Sequence, residues 1–430
     1  MSELLLSSSS PATTTTTTQP LLMGRKWKHL DDQQQIHDDD HSVCSDSSSF
    51  KLVSYNILAQ LYAKHLQVSD PNICDWELRK QRLFKELMNY KTDIICLQEM
   101  DLYEQYWKST MMKGFAGGFD SSYAEKTGKR NGCGTFWRRD RFEMVQHLEL
   151  HLEELNDYLE HSHHATNTSI AEEPFERRDV ANLTLLRDLQ SGGERGKLLL
   201  IVNNHLAWDP KYPEVKLCQM FYILKAVHQF LNKFAKQCDR DSEHTEVIVS
   251  VILCGDYNSL PDSEVYDLIT KGRALVPGKE IKFNKHCELF RNGVEYVKST
   301  SSSHHFHSSK QYLINPFPPA KSAYFEIYEK EPEFTNYTST FHGTLDYVFT
   351  FDFDLKSDHD ETNKTRPCHE NINTDTKELN QKPPSQQLEI VDALEEISFE
   401  QAQEFSFLPS LIYPSDHIAH CVKFTWHAQQ

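Results

Sequence analysis

The sequence lacks several features that would assign it to a class at once. No apolar run approaches the roughly 18 consecutive residues that a membrane-spanning helix needs, so no membrane association is predicted. The ten cysteines include no C-x-x-C pair, which argues against a zinc ribbon or a disulfide framework. Reduced thiols indicate a cytoplasmic protein, with a nuclear or mitochondrial location left open. A net charge of −18 over 430 residues argues against a protein that coats nucleic acid with a uniformly basic surface.

Much of the negative charge lies in two polar segments. Residues 1–49 and 356–404 together carry 11 of the 18 net negative charges, so a local basic groove can exist elsewhere. Residues 1–49 are runs of Ser, Thr and Asp with little apolar surface to bury, and they are predicted to be a disordered N-terminal segment. Residues 299–312 and 356–404 are predicted to be polar insertions within one catalytic domain that spans 50–430.

The remaining sequence alternates strand-like and helix-like patterns. Helices are predicted over Asp75 to Tyr90, with Asp75 as the N-cap, over the amphipathic stretch from Leu217 to Leu231, and over Glu264 to Thr270. Eight apolar runs are predicted to be strands: "KLVSYNIL", "TDIICLQE", "GCGTFWRRD", "DVANLTLLRDL", "GKLLLIVNNH", "VIVSVILC", "GTLDYVFTF" and "HIAHCVKFTW". This alternation indicates an α/β fold.

Most of these apolar runs have a residue at one end that can hold a metal ion or a phosphate. These residues are Asn56, Glu99, His205, Asp256 with Asn258, Asp346 and, at the start of the last strand, His417. If the strands share a rim, their polar ends gather into one pocket. Carboxylate and amide oxygens suit Mg²⁺ or Mn²⁺, which complete their coordination with water and substrate phosphate. A hydrated cation, an acid to activate water and a histidine to meet developing charge are the components of phosphodiester hydrolysis.

Seven ordered motifs give this pattern a family resemblance. They are "SYNILAQ", "CLQEMD", "NGCGTFWRRDRF", "NNHLAWDPKYPEVKLCQ", "CGDYNSLPDS", "FHGTLDYVF" and "YPSDHIAH". In this order they resemble the endonuclease/exonuclease/phosphatase superfamily, and most closely its branch of carbon-catabolite-repressor-type deadenylases, with nocturnin and the Angel proteins as relatives. The resemblance implies a four-layer α/β sandwich of two packed mixed β-sheets flanked by helices.

The resemblance also implies roles for individual residues. Glu99, with Asn56 beside it and Asp416 as a weaker candidate, matches the metal-binding positions. Asp256 matches the acid that orients or deprotonates the attacking water, and Asn258 the amide that contacts the scissile phosphate or a second metal. The other matches are His417 facing the phosphoryl transition state, Asp346 holding that histidine in its tautomer, His205 contacting a phosphate, and Pro210 with Phe341 enclosing the terminal adenine.

Structural alternatives exist for several of these residues. Asn56 can be a turn residue, His205 a satisfied core histidine, and Pro210 with Phe341 ordinary packing at the rim. Trp137 and Trp208 are interpreted as core or rim aromatics rather than base-stacking platforms.

The function predicted from the resemblance is that of a Mg²⁺-dependent 3′-to-5′ exoribonuclease of the deadenylase type, acting on RNA as a monomer. Leucine-rich repeats, through which the large deadenylases dock on their scaffold, are not recognisable, so no such docking is expected. Hydrolysis of a small nucleotide or of RNA 2′,3′-cyclic ends is the alternative on the same site, and a nonenzymatic RNA-binding role is the alternative from another class.

Overall fold

The computed structural model describes residues 25–30, 47–114, 117–160, 175, 177–191, 196–238, 247–278, 280–284, 289–290, 292–298, 309–355 and 387–427. Two mixed sheets form the centre of this part of the chain. No helix among these residues is long and apolar enough to cross a membrane.

The first sheet has seven strands. In spatial order they are β1 (Trp27–His29), β17 (Leu388–Leu394), β18 (His420–Trp426), β2 (Ser49–Asn56), β3 (Ile94–Asp101), β5 (Asn131–Arg138) and β4 (Phe119–Glu125). Only β2 and β3 pair in parallel. The sheet is therefore mixed, as predicted.

The second sheet has six strands. In spatial order they are β13 (Lys321–Ser322), β16 (Asp346–Asp354), β9 (Ile248–Asp256), β8 (Lys197–His205), β7 (Val180–Asp188) and β6 (Phe142–His151). Here β8 and β9 form the parallel pair. Two smaller pieces accompany it: a three-stranded sheet of β10 (Arg273–Leu275), β12 (Ser309–Ile314) and β11 (Val294–Lys298), and a hairpin of β14 (Asn336–Tyr337) and β15 (His342–Gly343).

Seven α-helices are described: α1 (Gln60–Ala63), α2 (Trp76–Asn89), α3 (Lys108–Lys113), α4 (Pro213–Cys238), α5 (Glu264–Thr270), α6 (Ala323–Tyr328) and α7 (Phe399–Gln403). The predicted cap at Asp75 is present, because its side chain accepts a hydrogen bond from the Leu78 N–H, and Ser263 caps α5 by accepting one from the Tyr266 N–H. A π-helical turn, Tyr103–Trp107, leads into α3.

The two sheets pack face to face and the longer helices cover their outer faces. Residues of both sheets, such as Leu52 and Ile252, share one buried core between them. A second core joins the outer face of the second sheet to α4 and α5, and a third joins the outer face of the first sheet to α2 and α3. The four-layer α/β sandwich is therefore confirmed.

A buried polar bridge joins the sheets just below one edge of the sandwich. Asn203 on β8 donates to the carbonyl oxygens of Leu97 and Gly134, at 3.2 and 2.9 Å. Gln98 on β3 donates to the Asn203 side-chain oxygen at 2.8 Å and to the Ser54 hydroxyl at 3.2 Å. Since buried hydrogen-bonded amides fix relative position, this bridge sets how the ends of the two sheets face each other.

The prediction of disorder over 1–49 is wrong for residues 25–30. Trp27–His29 adds β1 to the edge of the first sheet, opposite Asp392 to Leu394 of β17. Arg25 is buried there. Three strand residues are too few to show a period in the sequence, and their pairing partner lies more than 350 residues away. Residues 1–24 and 31–46 lie outside the described residues.

The predicted polar insertions are also partly ordered. Residues 388–394 form β17, inside the first sheet, and α7 follows with a capping box at Ser398. The apolar side chains of β17, such as Leu388 and Ile390, are buried, but the acidic composition of the longer segment concealed them. Residues 309–312 belong to β12 rather than to a loop. Residues 299–308 and 356–386 lie outside the described residues.

Candidate active site

Strand register places three of the predicted residues side by side. His205 ends β8, Asp256 ends β9 and Asp346 begins β16, and the three are Cα partners in adjacent strands. All three are buried. Directly paired residues of neighbouring strands point to the same face of a sheet. The three side chains therefore form one polar row at the sheet edge.

Asp256 is held by contacts from both sheets. Its Oδ1 accepts a hydrogen bond from the Asn258 N–H at 2.9 Å, and its Oδ2 accepts one from the Asn56 side-chain amide of β2 at 2.9 Å. Gly255 precedes it at φ +141°, where a Cβ would lie 2.0 Å from the Asn204 carbonyl oxygen. Only glycine fits so close to the neighbouring strand. The motif "GDYN" is thus a turn that positions the Asp256 carboxylate.

His417 is oriented by Asp346. Its Nδ1 lies 2.8 Å from Asp346 Oδ2, which also accepts a hydrogen bond from the Thr335 hydroxyl at 2.6 Å. The other ring nitrogen, Nε2, faces Asp256 Oδ2 at 3.7 Å. With Nδ1–H donating to Asp346, the Nε2 edge faces Asp256. His417 precedes β18 by three residues rather than opening it, and its backbone bridges Asn336 of β14.

The electrostatics of this group favour a proton shared among its members. Burial, and then the charge of Asp346, raises the pKa of Asp256 to about 7. Burial acts to lower the pKa of His417, but the carboxylates of Asp346 and Asp256 outweigh it and raise that pKa well above its usual range. A buried acid and a buried histidine perturbed by each other are typical of functional sites.

Glu99 is aimed into the same region by an irregularity in β3. The register of β3 against β5 shifts between Leu97 and Met100, and Glu99 has φ +55°. A non-glycine residue in this conformation is strained, and a bulge of this kind redirects a side chain. Glu99 Oε2 accepts a hydrogen bond from the Ala59 N–H at 3.0 Å.

The donor set fits a divalent cation near Glu99. Burial, and then the charge of Asp416, raises the pKa of Glu99, and a bound cation would relieve this repulsion between the two carboxylates. Asp416 is partly exposed, which leaves access from solvent. Carboxylate oxygens with room for water are what Mg²⁺ prefers.

A second group can also hold a metal ion. Ligand atoms of Asp256, Asp346 and His417 lie within 4.8 Å of one another. However, Asp346 Oδ2 and His417 Nδ1 already bind each other, which favours a proton-handling group over a cation cage. The Asn56 amide is likewise engaged at both ends, because its Nδ2 donates to Asp256 and its Oδ1 accepts from the Leu58 N–H. Its direct role in metal binding stays a prediction that depends on the second lone pair of Oδ1.

His205 contacts a lysine that the sequence analysis missed. Lys126 is buried, pairs with Asp179 at 2.9 Å and lies 3.5 Å from His205 Nδ1. Burial, and then the charge of Lys126, lowers the pKa of His205 well below its usual range. His205 is therefore neutral, with Nδ1 facing the ammonium group and Nε2–H left to face Asp256 at 3.7 Å. The basic turn "EKTGKR" is the only sequence signal for Lys126.

Asn258 is positioned by a second missed lysine. Asn258 has φ +48°, and its carbonyl oxygen accepts a hydrogen bond of 2.6 Å from Lys216 of α4. Its side-chain amide donates to the Leu206 carbonyl oxygen at 3.0 Å, which leaves one amide hydrogen for another acceptor. Lys216 lies within the motif "NNHLAWDPKYPEVKLCQ", which was the available signal for it.

Pro210 and Phe341 lie on separate segments at the rim. Pro210 is exposed on the segment that follows His205, and Phe341, with 39% of its surface exposed, lies at the tip of the β14–β15 hairpin. That hairpin is tied to the pocket, since the Tyr337 N–H donates to the Asp416 carbonyl oxygen. The described contacts do not join Pro210 to Phe341, so their enclosure of a base stays a prediction.

Known proteins resemble this chain over most of its length. The Endonuclease/Exonuclease/phosphatase family model matches residues 53–417. The CCR4-Not complex 3′-5′-exoribonuclease subunit Ccr4 of Candida albicans is 31% identical over 76% of this chain. The carbon catabolite repressor protein 4 homolog 4 of Arabidopsis thaliana is 29% identical over 70% of it. The aligned regions cover 39% and 67% of those two relatives, so the chain corresponds to only part of each.

Solved structures share the fold. The crystal structure of ANGEL2, a 2′,3′-cyclic phosphatase, matches with a TM-score of 0.60 at 18% identity, covering 93% of this chain and 97% of that one. The human nocturnin catalytic domain matches with a TM-score of 0.52 at 19% identity, covering 96% and 100%. At such identities the likeness supports the four-layer sandwich and says nothing more.

Proposed function

The chain belongs to the endonuclease/exonuclease/phosphatase family, as its motifs predict, and on that premise we propose that it is a metal-dependent 3′-to-5′ exoribonuclease that releases 5′-nucleotides from RNA tails. The observation that carries the proposal is the group of Asp256, His417 and Asp346, in which His417 lies 3.7 Å from Asp256 and 2.8 Å from Asp346. The exoribonuclease names of the relatives support the choice of RNA.

In the proposed reaction, water attacks the terminal phosphorus, and the bond to the 3′-oxygen of the penultimate nucleotide breaks. The products are a 5′-nucleotide and an RNA that is one residue shorter with a new 3′-hydroxyl. Asp256, fixed at both oxygens, orients the water and accepts its proton. The Nε2–H groups of His417 and His205 and the free Asn258 amide hydrogen donate to the phosphoryl oxygens as charge develops on them.

The predicted cofactor is Mg²⁺, with Mn²⁺ as a substitute. Glu99 and Asp416 would hold it, with the second lone pair of the Asn56 amide oxygen as a further contact. When bound, it would polarise the phosphoryl oxygens and neutralise developing charge. For location, we infer the cytoplasm, because the cysteines described by the structure (74, 96, 133, 218, 254 and 421) are free and buried.

A substrate panel tests the proposal. Purified protein with Mg²⁺ is offered oligo(A), mixed-sequence RNA, RNA ending in a 2′,3′-cyclic phosphate, and a small phosphorylated nucleotide. We expect stepwise shortening of oligo(A) with release of AMP. The exoribonuclease proposal is wrong if the oligomers stay intact while the cyclic phosphate is opened or the small nucleotide is dephosphorylated. That result would support a phosphatase instead. The matched inactive control is Asp256→Asn.

A further inference from the structure

One large aromatic side chain beside the active site has no core to pack in. Trp208 is 67% exposed, the largest exposed fraction among the big apolar side chains that the structure describes. It lies three residues after His205, on the segment that leaves β8 and carries Pro210. Trp137, by contrast, lies in the core with 1% of its surface exposed. An exposed indole three residues from a predicted phosphate-contacting histidine is available to stack on a nucleic-acid base.

The indole of Trp208 is fixed in place from one side. The guanidinium of Arg177 lies 5.9 Å from the Trp208 ring centroid and 5.4 Å from that of Tyr212. Arg177 is itself held by Asp209 at 3.2 Å. An arginine bound to an aromatic face and anchored by a carboxylate restrains the ring without covering it. The result is a pre-formed platform with an open face.

Besides Arg177, exposed basic residues lie on the segment of Trp208 and on two segments near it, in a chain whose net charge is −18. The three stretches 125–130, 177–179 and 208–212 contain six basic and three acidic residues, and one of the six, Lys126, is paired with Asp179. Lys129, Arg130, Arg178 and Lys211 are exposed. The Lys129 charge contributes to lowering the pKa of His205, and Arg178 packs against Gly128 of the same turn. These exposed cations form a local basic patch within a chain of net charge −18.

We propose that Trp208, backed by Arg177, is a second base-stacking site that binds single-stranded RNA upstream of the scissile bond. The RNA phosphates contact Lys129, Arg178 and Lys211. An aromatic platform flanked by cations is the usual means of holding a single strand without reading its sequence. This inference rests on the proposed exoribonuclease function and deepens it: the site is built for a polymer and not for a mononucleotide.

A neighbouring cavity is a less suitable path for the RNA. It has a volume of about 810 Å³ and contains the stacked rings of Tyr103 and Tyr123, 4.5 Å apart. Its charged lining includes three carboxylates, those of Glu104, Glu125 and Glu149, against Lys108 and Arg130. Lys108 is already paired with Glu104 at 2.9 Å. The surplus of carboxylates repels phosphate, so the strand passes over Trp208.

The test compares a long and a short substrate. kcat and KM are measured on a 20-nucleotide oligo(A) and on the dinucleotide ApA for wild type, Trp208→Ala, Trp208→Phe and Phe325→Ala. Phe325 is a matched control, because it is 51% exposed on α6. We expect Trp208→Ala to raise KM for the 20-mer about tenfold or more, which corresponds to about 1.4 kcal/mol. Its kcat and its activity on ApA stay unchanged, Trp208→Phe retains most of the affinity, and Phe325→Ala behaves as wild type.

Two results overturn the platform: an unchanged KM for the 20-mer in Trp208→Ala, or an equal loss on both substrates. If wild type cleaves neither substrate, the proposed function has failed, and the platform is then judged by binding of a labelled 20-mer to the same four proteins. Tenfold weaker binding by Trp208→Ala supports it, and equal binding overturns it.

Discussion

Replacing Arg25 tests the fold quantitatively. Arg25 lies in the segment predicted to be disordered, but the structure buries it against the segment that carries His417. Its guanidinium donates to the carbonyl oxygens of Ala419 (2.8 Å) and Glu395, and lies 3.5 Å from the Glu396 carboxylate. Both carboxylate oxygens of Glu396 are buried, and burial lowers the pKa of the neighbouring His420 to about 3, so this histidine supplies no counter-charge. Arg25→Ala therefore leaves a buried carboxylate without its counter-charge. Removing one partner of such a pair costs roughly 3–5 kcal/mol, a large part of the roughly 5–15 kcal/mol that stabilises a typical domain.

The pH dependence of this loss is a second check. Burial raises the pKa of Glu396 to about 7 even with Arg25 present, so at pH 5 the folded protein carries the neutral acid and Arg25→Ala leaves no bare charge. Urea unfolding of Arg25→Ala is compared with wild type at pH 5 and pH 8, with the exposed Lys26→Ala as control. We expect the loss at pH 8 to exceed the loss at pH 5. A loss below about 1 kcal/mol at pH 8, or equal losses at both pH values, would refute the buried pairing.

Four further outcomes are expected. Glu99→Gln should lower kcat roughly 100-fold or more at limiting Mg²⁺ while the melting temperature is kept, and near-full turnover would exclude Glu99 from metal binding. Asp346→Asn should lower kcat by roughly two orders of magnitude or more because the His417 ring loses its orienting carboxylate; adding His417→Ala should then cost little more, and additive losses would separate the two residues. Phe341→Ala should raise KM on poly(A) about tenfold and narrow the kcat/KM ratio of poly(A) over poly(U), whereas an unchanged ratio would remove the stacking role. Burial raises the pKa of Glu86 to about 7 from an ordinary 4.5, so the contribution of Glu86 to folding stability is fully present below about pH 4.5 and is lost as pH rises through about 7. Glu86→Gln should flatten the pH dependence of the free energy of unfolding measured with urea, and an unchanged pH dependence would assign it to another group.

Features that depend on residues close together in the sequence could be predicted from it. The eight apolar runs and the cap at Asp75 are local signals, and the structure confirms them. The gathering of His205, Asp256 and Asp346 followed from the rule that strand ends share a rim, and register supplies it.

What the sequence could not show are contacts between distant segments. Arg25 and β1 depend on β17, and β17 is a seven-residue strand inside an acidic stretch whose average composition is polar. Lys126 and Lys216 act through single hydrogen bonds or ion pairs that no local pattern records. The redirected backbone at Glu99 depends on a register shift against β5, which appears only when the sheet is assembled.

The most direct test of the proposed exoribonuclease activity is the identity of its products. A 20-nucleotide oligo(A) labelled at its 5′ end is incubated with the full chain and Mg²⁺, and the products are resolved by length and identified by mass. We expect a ladder that shortens one nucleotide at a time from the 3′ end, together with free 5′-AMP. Asp256→Asn, with a melting temperature equal to that of wild type, should give no products. An intact oligomer, an internal cut, a 3′-phosphate on the shortened strand, or full activity in Asp256→Asn would contradict it.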